Sequence, residues 1–339
     1  MARKLLTMSR EIEFLVHTVC LAYNHESYIE DALNGFVMQK TTFPVVSVII
    51  DDASTDHTVE VLGRFMKDHF RLDDADAIDK DTDYGHVAFA RHKSNANCFF
   101  AVICLKENHY SKAKSKYPYY KEWAKTKYVA ICEGDDYWTD PLKLQRQVDY
   151  LETHEEYSMC FHGAKVLNEC GARLYTDCSS VCDRDYSAND IFSSWIVPTA
   201  SVVYRRELVD SFQVKHYSWF VYGDIVLFEK CAHVGKVRGF SSIMSVYRMN
   251  ANSLVQNPKF VKQRLQKMPL HFRALKQNFH KIEMKGLRRK ISDSYYAKMR
   301  DDDSVIMRLV DFVYFVAYSP LYAISKVVSK LSTNPNEKE

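Results

Sequence analysis

Apolar and polar positions fall in blocks along this chain, and the spacing inside each block predicts an element. Residues 14–22, FLVHTVCLA, form an apolar run with β-branched members and no breaker, which predicts a buried strand. The polar turn YNHES follows, after which Ile29, Leu33, Phe36 and Val37 recur at helical spacing through about Gln39. Residues 45–50, VVSVII, predict a second buried strand, and the turn DDASTDHT after it offers Ser54, Thr55 and Asp56 as helix caps. Leu62, Phe65, Met66 and His69 mark one face of the next helix. A third strand, residues 128–132, runs into EGDDYW. Asp140 and Pro141 then read as cap and first residue of a helix whose stripe is Leu144, Val148 and Leu151. Between these, the Asp-rich piece after residue 71 reads as an exposed loop, and 96–106 fits either a strand or a short helix. Downstream, 157–163 and 199–204 are predicted strands, WFVYGDIVLFEKCAHVG a turn and helix, and MSVYRMN a last strand. From about residue 255 the pattern is basic and helical.

Strands that end in polar turns and feed helices predict an α/β fold with a mainly parallel central sheet and flanking helices. Residues 1–255 would form that domain and 256–339 a basic, amphipathic helical appendage. Parallel sheets bind ligands beyond the carboxyl ends of their strands. The turns YNH, DDAS and EGDD all lie at such ends, so they can converge on one crevice.

Composition narrows the classes. An apolar share of 47% against 26% charged excludes global disorder. The net charge of +3 is too small to argue for nucleic acid. No RNA-binding motif accompanies the basic, aromatic stretch KENHYSKAKSKYPYYKEW, which reads instead as a loop over the site. The nine cysteines sit mostly in apolar runs and read as reduced buried thiols; Cys178 and Cys182 lack a second pair at zinc spacing. His25, His57, His86, His92 and His109 are scattered, which argues against a histidine metal site. No charged-then-apolar leader opens the chain, which predicts a cytoplasmic protein. Neither a G-x-x-x-x-G-K-[ST] nor a G-x-G-x-x-G occurs, so a bound nucleotide would be held without a glycine cradle.

Chemistry concentrates in the turns. Glu133, Asp135 and Asp136 crowd into four positions, where like charges raise one another's pKa. A cation therefore belongs among them, or the cluster is a solvated turn capping the next helix. Carboxylate oxygens suit Mg2+ or Mn2+, and an ion with few protein ligands keeps positions open for phosphate oxygens. Asp51 and Asp52 can accept hydrogen bonds from a base imide or a ribose hydroxyl, and Tyr23 can stack on a base. Each is equally well a turn residue or, for Tyr23, a core tyrosine.

The segments AYNHESYIEDAL, VIIDDASTDHTVEVL and YVAICEGDDYWTDPLKLQ, in that order, resemble family 2 glycosyltransferases with the GT-A fold, of the bacterial surface-polysaccharide type. VPTASVVYRREL, YGDIVLF and MSVYRMN continue the resemblance, which covers about residues 14–250. It implies metal-dependent, inverting transfer of a sugar from a nucleotide-diphosphate donor, a UDP-sugar foremost, to a hydroxyl of a glycan or lipid-linked glycan. It implies Tyr23 and Asp52 at the nucleotide base with Asp51 nearby. Asp136 would touch Mn2+ or Mg2+, Asp135 the ribose or the metal, and Glu133 would occupy the first acidic place. Asp224 in YGDI would be the base toward the acceptor, or else a helix N-cap. Arg248 would meet the diphosphate, or else form a structural salt bridge. The chain departs from the family where LAYN replaces a proline-containing turn and where 71–105 is long and acidic; Arg91 is the candidate for a nucleotide-contacting cation there. One rival reading, a sugar-phosphate nucleotidyltransferase, needs a glycine-rich loop that LAYNHESY lacks. Another, a catalytically degenerate scaffold at the membrane, is opposed by the intact acid cluster with Asp224.

Residues 304–331 are unusually apolar, but Arg308, Asp311 and the Ser319–Pro320 step interrupt them, which argues against a spanning helix. Two amphipathic helices are expected. With the basic segment before them, they lie on an anionic inner membrane surface, or they dock on the sheet domain or on a second subunit of a homo-oligomer.

Overall fold

The computed structural model describes residues 12–169, 178–194, 196–250, 258–302 and 304–332. Along the chain run β1 (Val16–Ala22), α1 (Ile29–Val37), β2 (Val45–Asp51), α2 (Thr58–His69), β3 (Ile78–Asp81), β4 (Gly85–Arg91) and β5 (Cys98–Leu105). Next come α3 (Tyr117–Tyr120), β6 (Tyr128–Ile131), β7 (Tyr137–Trp138), α4 (Lys143–Thr153), β8 (Tyr157–Asn168), α5 (Ala188–Ser194), β9 (Val203–Arg205) and α6 (Arg206–Ser211). The last elements are α7 (Gly223–Val234), β10 (Lys236–Met249), α8 (Pro258–Asn278), α9 (Met284–Asp301), α10 (Val305–Tyr318) and α11 (Pro320–Ser332).

The chain divides into two compact units. The first comprises Met1–Tyr186, Ile196–Ser211 and Val234–Met249 and holds every strand among the described residues; the second comprises Ser187–Trp195, Phe212–His233 and Asn250–Glu339. Residues 212–233, which the sequence pattern assigns to the sheet domain ending at 255, thus belong with the helical tail.

The sheet has the order β3-β4-β5-β2-β1-β6-β9-β8-β10-β7. Its centre, β5-β2-β1-β6, is parallel, while β4, β7 and β9 run against their neighbours. Residues 96–106, ambiguous between strand and helix, resolve as β5, since Cys98–Leu105 is apolar on both faces and pairs with β2 and β4. The expected acidic loop instead contains the edge strand β3, whose acids face water, a common protection against edge pairing.

Alternation along the strands sends side chains to two cores. One face packs Val16, Cys20 and Ile49 against Ile29, Leu33 and Phe36 of α1, Leu62 and Phe65 of α2 and Leu144, Val148 and Leu151 of α4. His69, expected on the apolar stripe of α2, is exposed. The other face packs Val46, Val48 and Ile50 against Phe14, Phe99 and Trp123. In the second unit Ile225, Leu275, Phe279, Leu287, Ile291 and Phe315 form a separate apolar centre.

Candidate functional site

β2, β1 and β6 are neighbours, so the turns that follow them lie side by side. Register fixes how far each strand reaches: Ala22 pairs with Asp51, the Asp52 N–H donates to the Ala22 carbonyl at 2.9 Å, and the Gly134 N–H donates to the Leu21 carbonyl at 2.9 Å. Asn24, Asp51–Ser54 and Glu133–Asp136 therefore meet beyond the carboxyl ends of these strands, as the sequence pattern expects.

The first two turns brace each other. Asp51 is fully buried and accepts from the Ser54 N–H at 3.0 Å and from the Ser54 hydroxyl. The Ser54 hydroxyl oxygen in turn accepts the Asn24 N–H at 2.9 Å. Asn24 Oδ1 accepts the Thr55 N–H at 2.7 Å, and the His25 N–H donates to the Thr58 hydroxyl at 2.8 Å. Asn24 and Ala53 take left-handed φ values of 56° and 61°, a conformation that costs a residue with a Cβ about 1 kcal/mol. The network holds both in place. Burial raises the Asp51 carboxyl above its ordinary range in spite of the Ser54 donors.

The acid turn is fitted closely into this frame. A Cβ on Gly134 would lie 2.8 Å from Nδ1 of His25 and 2.9 Å from Cδ1 of Ile29, so a larger residue fits there only if these side chains shift. Asp136 is 3% exposed, and its Oδ1 accepts the backbone N–H of Arg248 at 2.8 Å. Burial, then the neighbouring Asp135 and Glu133, push its carboxyl well above the ordinary value. The same acids, after burial itself, raise the thiol of Cys20 beneath them.

The side chain of Arg248 is turned to other work. It is 7% exposed and pairs with Asp31 at 2.8 Å, with its guanidinium 4.7 Å from the Tyr28 ring centre and 5.4 Å from that of Tyr137. Of the two readings left open by the sequence, the structure displays the salt bridge. Asp52 also has a structural role. Its oxygens accept the His109 N–H at 2.8 Å and the Tyr110 N–H at 3.0 Å, and Lys116 lies 3.0 Å away. It thereby ties the 106–116 loop to the end of β2. Tyr23 directly follows β1 and is 43% exposed, as a stacking surface requires.

Arg91 is placed otherwise than expected. It pairs across the ladder with Phe99, near the start of β5 and so at the opposite end of the sheet from the turns, and it faces Asp74 at 3.6 Å. The antiparallel hairpin reverses the chain there, which linear spacing does not reveal. Asp224 stands in the first turn of α7, where its Oδ1 accepts the Ile225 N–H at 2.9 Å and burial raises its carboxyl above the ordinary range.

Sequence reasoning passes over His25. Its Nδ1 is buried without a hydrogen-bond partner, and burial holds its pKa down against the pull of Asp135, Asp56 and Asp51. Its place directly after Tyr23 and Asn24 in the first turn is the available signal.

No three His, Cys, Asp or Glu groups among the described residues form a set that could hold a metal. Glu133, Asp135 and Asp136 thus do not make a protein cage. The fit is to an ion held by one or two carboxylates with its other positions open to a diphosphate, the usual manner of Mg2+. The buried Asp136, its carboxyl pushed up, beside the half-buried Asp135 meets that description.

Residues 19–211 match the family described as glycosyl transferase family 2. An uncharacterised protein of Mycobacterium tuberculosis is 33% identical over 239 residues, covering 70% of this chain and 59% of the relative. The chain thus spans about three fifths of the length of the curated relatives it matches first. A Bacillus subtilis protein, TuaG, named provisionally as a teichuronic acid biosynthesis glycosyltransferase, is 23% identical over 244 residues, 72% of this chain and 82% of that one. The structure of S. aureus TarS 1–349 in complex with UDP-GlcNAc superposes with a TM-score of 0.51 at 14% identity, covering 91% of this chain and 92% of the other. This likeness shows a shared fold, the GT-A architecture.

Proposed function

Since the chain belongs to glycosyl transferase family 2, we propose that it transfers a sugar from a UDP-sugar to a hydroxyl of a surface glycan, with inversion, from the cytoplasmic side. The observation that carries this reading is the buried Asp136, its carboxyl pushed up, at the meeting point of three strand-end turns. The relatives support the class: TarS was crystallised with UDP-GlcNAc, and TuaG is named provisionally for teichuronic acid biosynthesis.

Asp135 and Asp136 would hold a Mn2+ or Mg2+ ion. When bound, that ion supplies Lewis-acid stabilisation to the departing diphosphate. Tyr23 offers its exposed ring to the base. Asp51 and Asp52 shape the nucleoside end, Asp52 through the loop it anchors. Asp224 takes the proton of the acceptor hydroxyl as that oxygen attacks the anomeric carbon from the face opposite the leaving group, so configuration inverts. A carboxyl raised by burial is better matched to that proton transfer near neutral pH than an exposed one. Arg248 supports the site from behind, through its backbone N–H on Asp136.

The test is UDP release from a panel of UDP-sugars with Mn2+. Release that disappears in Asp136→Ala and in Asp224→Asn, with circular dichroism unchanged, is expected. Undiminished release in both variants, or UDP binding with no turnover of any donor, would overturn the enzyme reading, the latter in favour of a scaffold.

A further inference from the structure

The helices α10 and α11 carry an apolar surface that the second unit does not bury. Ile306, Leu309 and Val313 on α10 recur at i, i+3 and i+7, and Leu321, Ile324 and Val328 on α11 repeat that spacing. Each is more than half exposed. The acid that interrupts the run is turned inward: Asp311 is 1% exposed and pairs with Lys298 of α9 at 3.0 Å, while Phe315, one turn on, is fully buried. Folding thus removes the one acid of α10 from its outer surface.

Neither helix crosses a bilayer alone. Among the described residues no single helix is long and apolar enough, and α10 with α11 reaches the composition of a span only as a pair bent by 116°. The fourteen residues of α10 extend about 21 Å, against a hydrocarbon core of about 30 Å.

Cations border this corner. Arg289 of α9 lies 4.2 Å from the Tyr322 ring centre, Lys276 lies 5.9 Å from that of Tyr318, and Lys326 pairs with Asp293. Residues 259–300, which lie in α8, α9 and their connection, carry thirteen Lys or Arg against two acids. A second copy laid on the same face would bring two such basic segments together. An anionic lipid surface would neutralise them while taking up the apolar side chains.

We propose that α10 and α11 dock in the plane of an anionic bilayer, with Ile306, Leu309, Val313, Leu321, Ile324 and Val328 below the headgroups and Arg289 of α9 among them. The bend lets both helices present their stripes without either one spanning. This docking is independent of the sugar-transfer reading, because it uses none of the strand-end turns.

Flotation of the full chain with vesicles tests it. One set is equal parts phosphatidylcholine and phosphatidylglycerol, the other phosphatidylcholine alone. The chain should float with the anionic set and be released by high salt. Leu309→Glu with Leu321→Glu should abolish flotation without changing circular dichroism, because both side chains already face solvent. Arg289→Ala should weaken binding about five-fold. Failure to float with anionic vesicles would overturn the proposal. So would a stable dimer in sedimentation that the same Glu pair dissociates and vesicles do not compete with, since a second copy would then own the face.

Discussion

The backbone N–H of Arg248 donates to Oδ1 of Asp136 at 2.8 Å, joining the end of the last strand to a turn 112 residues earlier. The guanidinium of the same residue goes to Asp31, between the rings of Tyr28 and Tyr137. Arg248 therefore acts on the acid turn first through its backbone dipole and only second through its charge. Arg248→Met leaves the N–H in place and removes the pair and the ring contacts. It should lower stability by about 1–2 kcal/mol, since Asp31 is half exposed and the pair is screened. UDP affinity should change no more than a few-fold. A loss of about a hundred-fold in UDP affinity at unchanged stability would restore the guanidinium to the diphosphate.

Gly134 is held against the side chains of His25 and Ile29, which a methyl group would have to displace. Gly134→Ala should cost about 1–3 kcal/mol in urea unfolding and weaken nucleotide binding as the turn is displaced from β1. Unchanged stability and affinity would show that the turn yields freely.

Ser54 links Asp51 to Asn24, with its hydroxyl donating to one and accepting from the other. Ser54→Ala should cost about 1–2 kcal/mol, because it leaves a buried carboxylate with one donor fewer and an amide without its acceptor. The Michaelis constant for the donor should rise with it, since Tyr23 adjoins the loosened turn. A variant with wild-type stability would show that water replaces the hydroxyl at no loss.

The parallel centre of the sheet is legible in the sequence because β1, β2 and β6 are apolar on both faces and end in polar turns. The meeting of those turns follows from the sheet alone. What the sequence does not reveal depends on contacts between distant segments. The roles of Arg248 and Asp52 turn on Asp31 and on the 108–116 backbone, which no local spacing connects. Arg91 lies away from its expected place because the β3–β4 hairpin reverses the chain inside a stretch whose acids resemble a loop. The set of three acids is visible as a cluster, yet closeness along the chain does not make three oxygens converge.

Lys143, in the sequence pattern merely one position of a helix, is fully buried. Its Nζ has no hydrogen-bond partner and lies 4.1 Å from the Trp138 ring centre, and burial pushes its pKa down to about 7. The unfolded chain, with lysine near its ordinary 10.5, then binds more protons than the folded one between about pH 7 and 10.5. Stability contributed by this group therefore rises with pH through that window, and its full cost is felt below it. Lys143→Met keeps the stem and removes the charge. The variant should unfold at an equal or higher temperature at pH 7, and its stability should climb less than that of the parent toward pH 10. A lower melting temperature at pH 7 with an unchanged pH slope would mean that the ammonium is stabilising where it lies.

In the proposed mechanism, Asp136 would hold a cation that also binds the diphosphate. Its raised pKa sets the sign: stability from the protonated carboxyl is present in full below the ordinary 3.8 and is lost as pH rises toward the folded value. The ligand-free fold thus loses this stability as pH rises, and a bound cation would offset the loss. The direct measurement is thermal unfolding at pH 7 with UDP, with Mn2+ and with both, for the parent and for Asp136→Asn. The expected result is a large rise in the parent only when both ligands are present, and a variant that starts higher and gains nothing from Mn2+. A UDP-induced rise that persists in chelator, or a variant that responds to Mn2+ as the parent does, would contradict it.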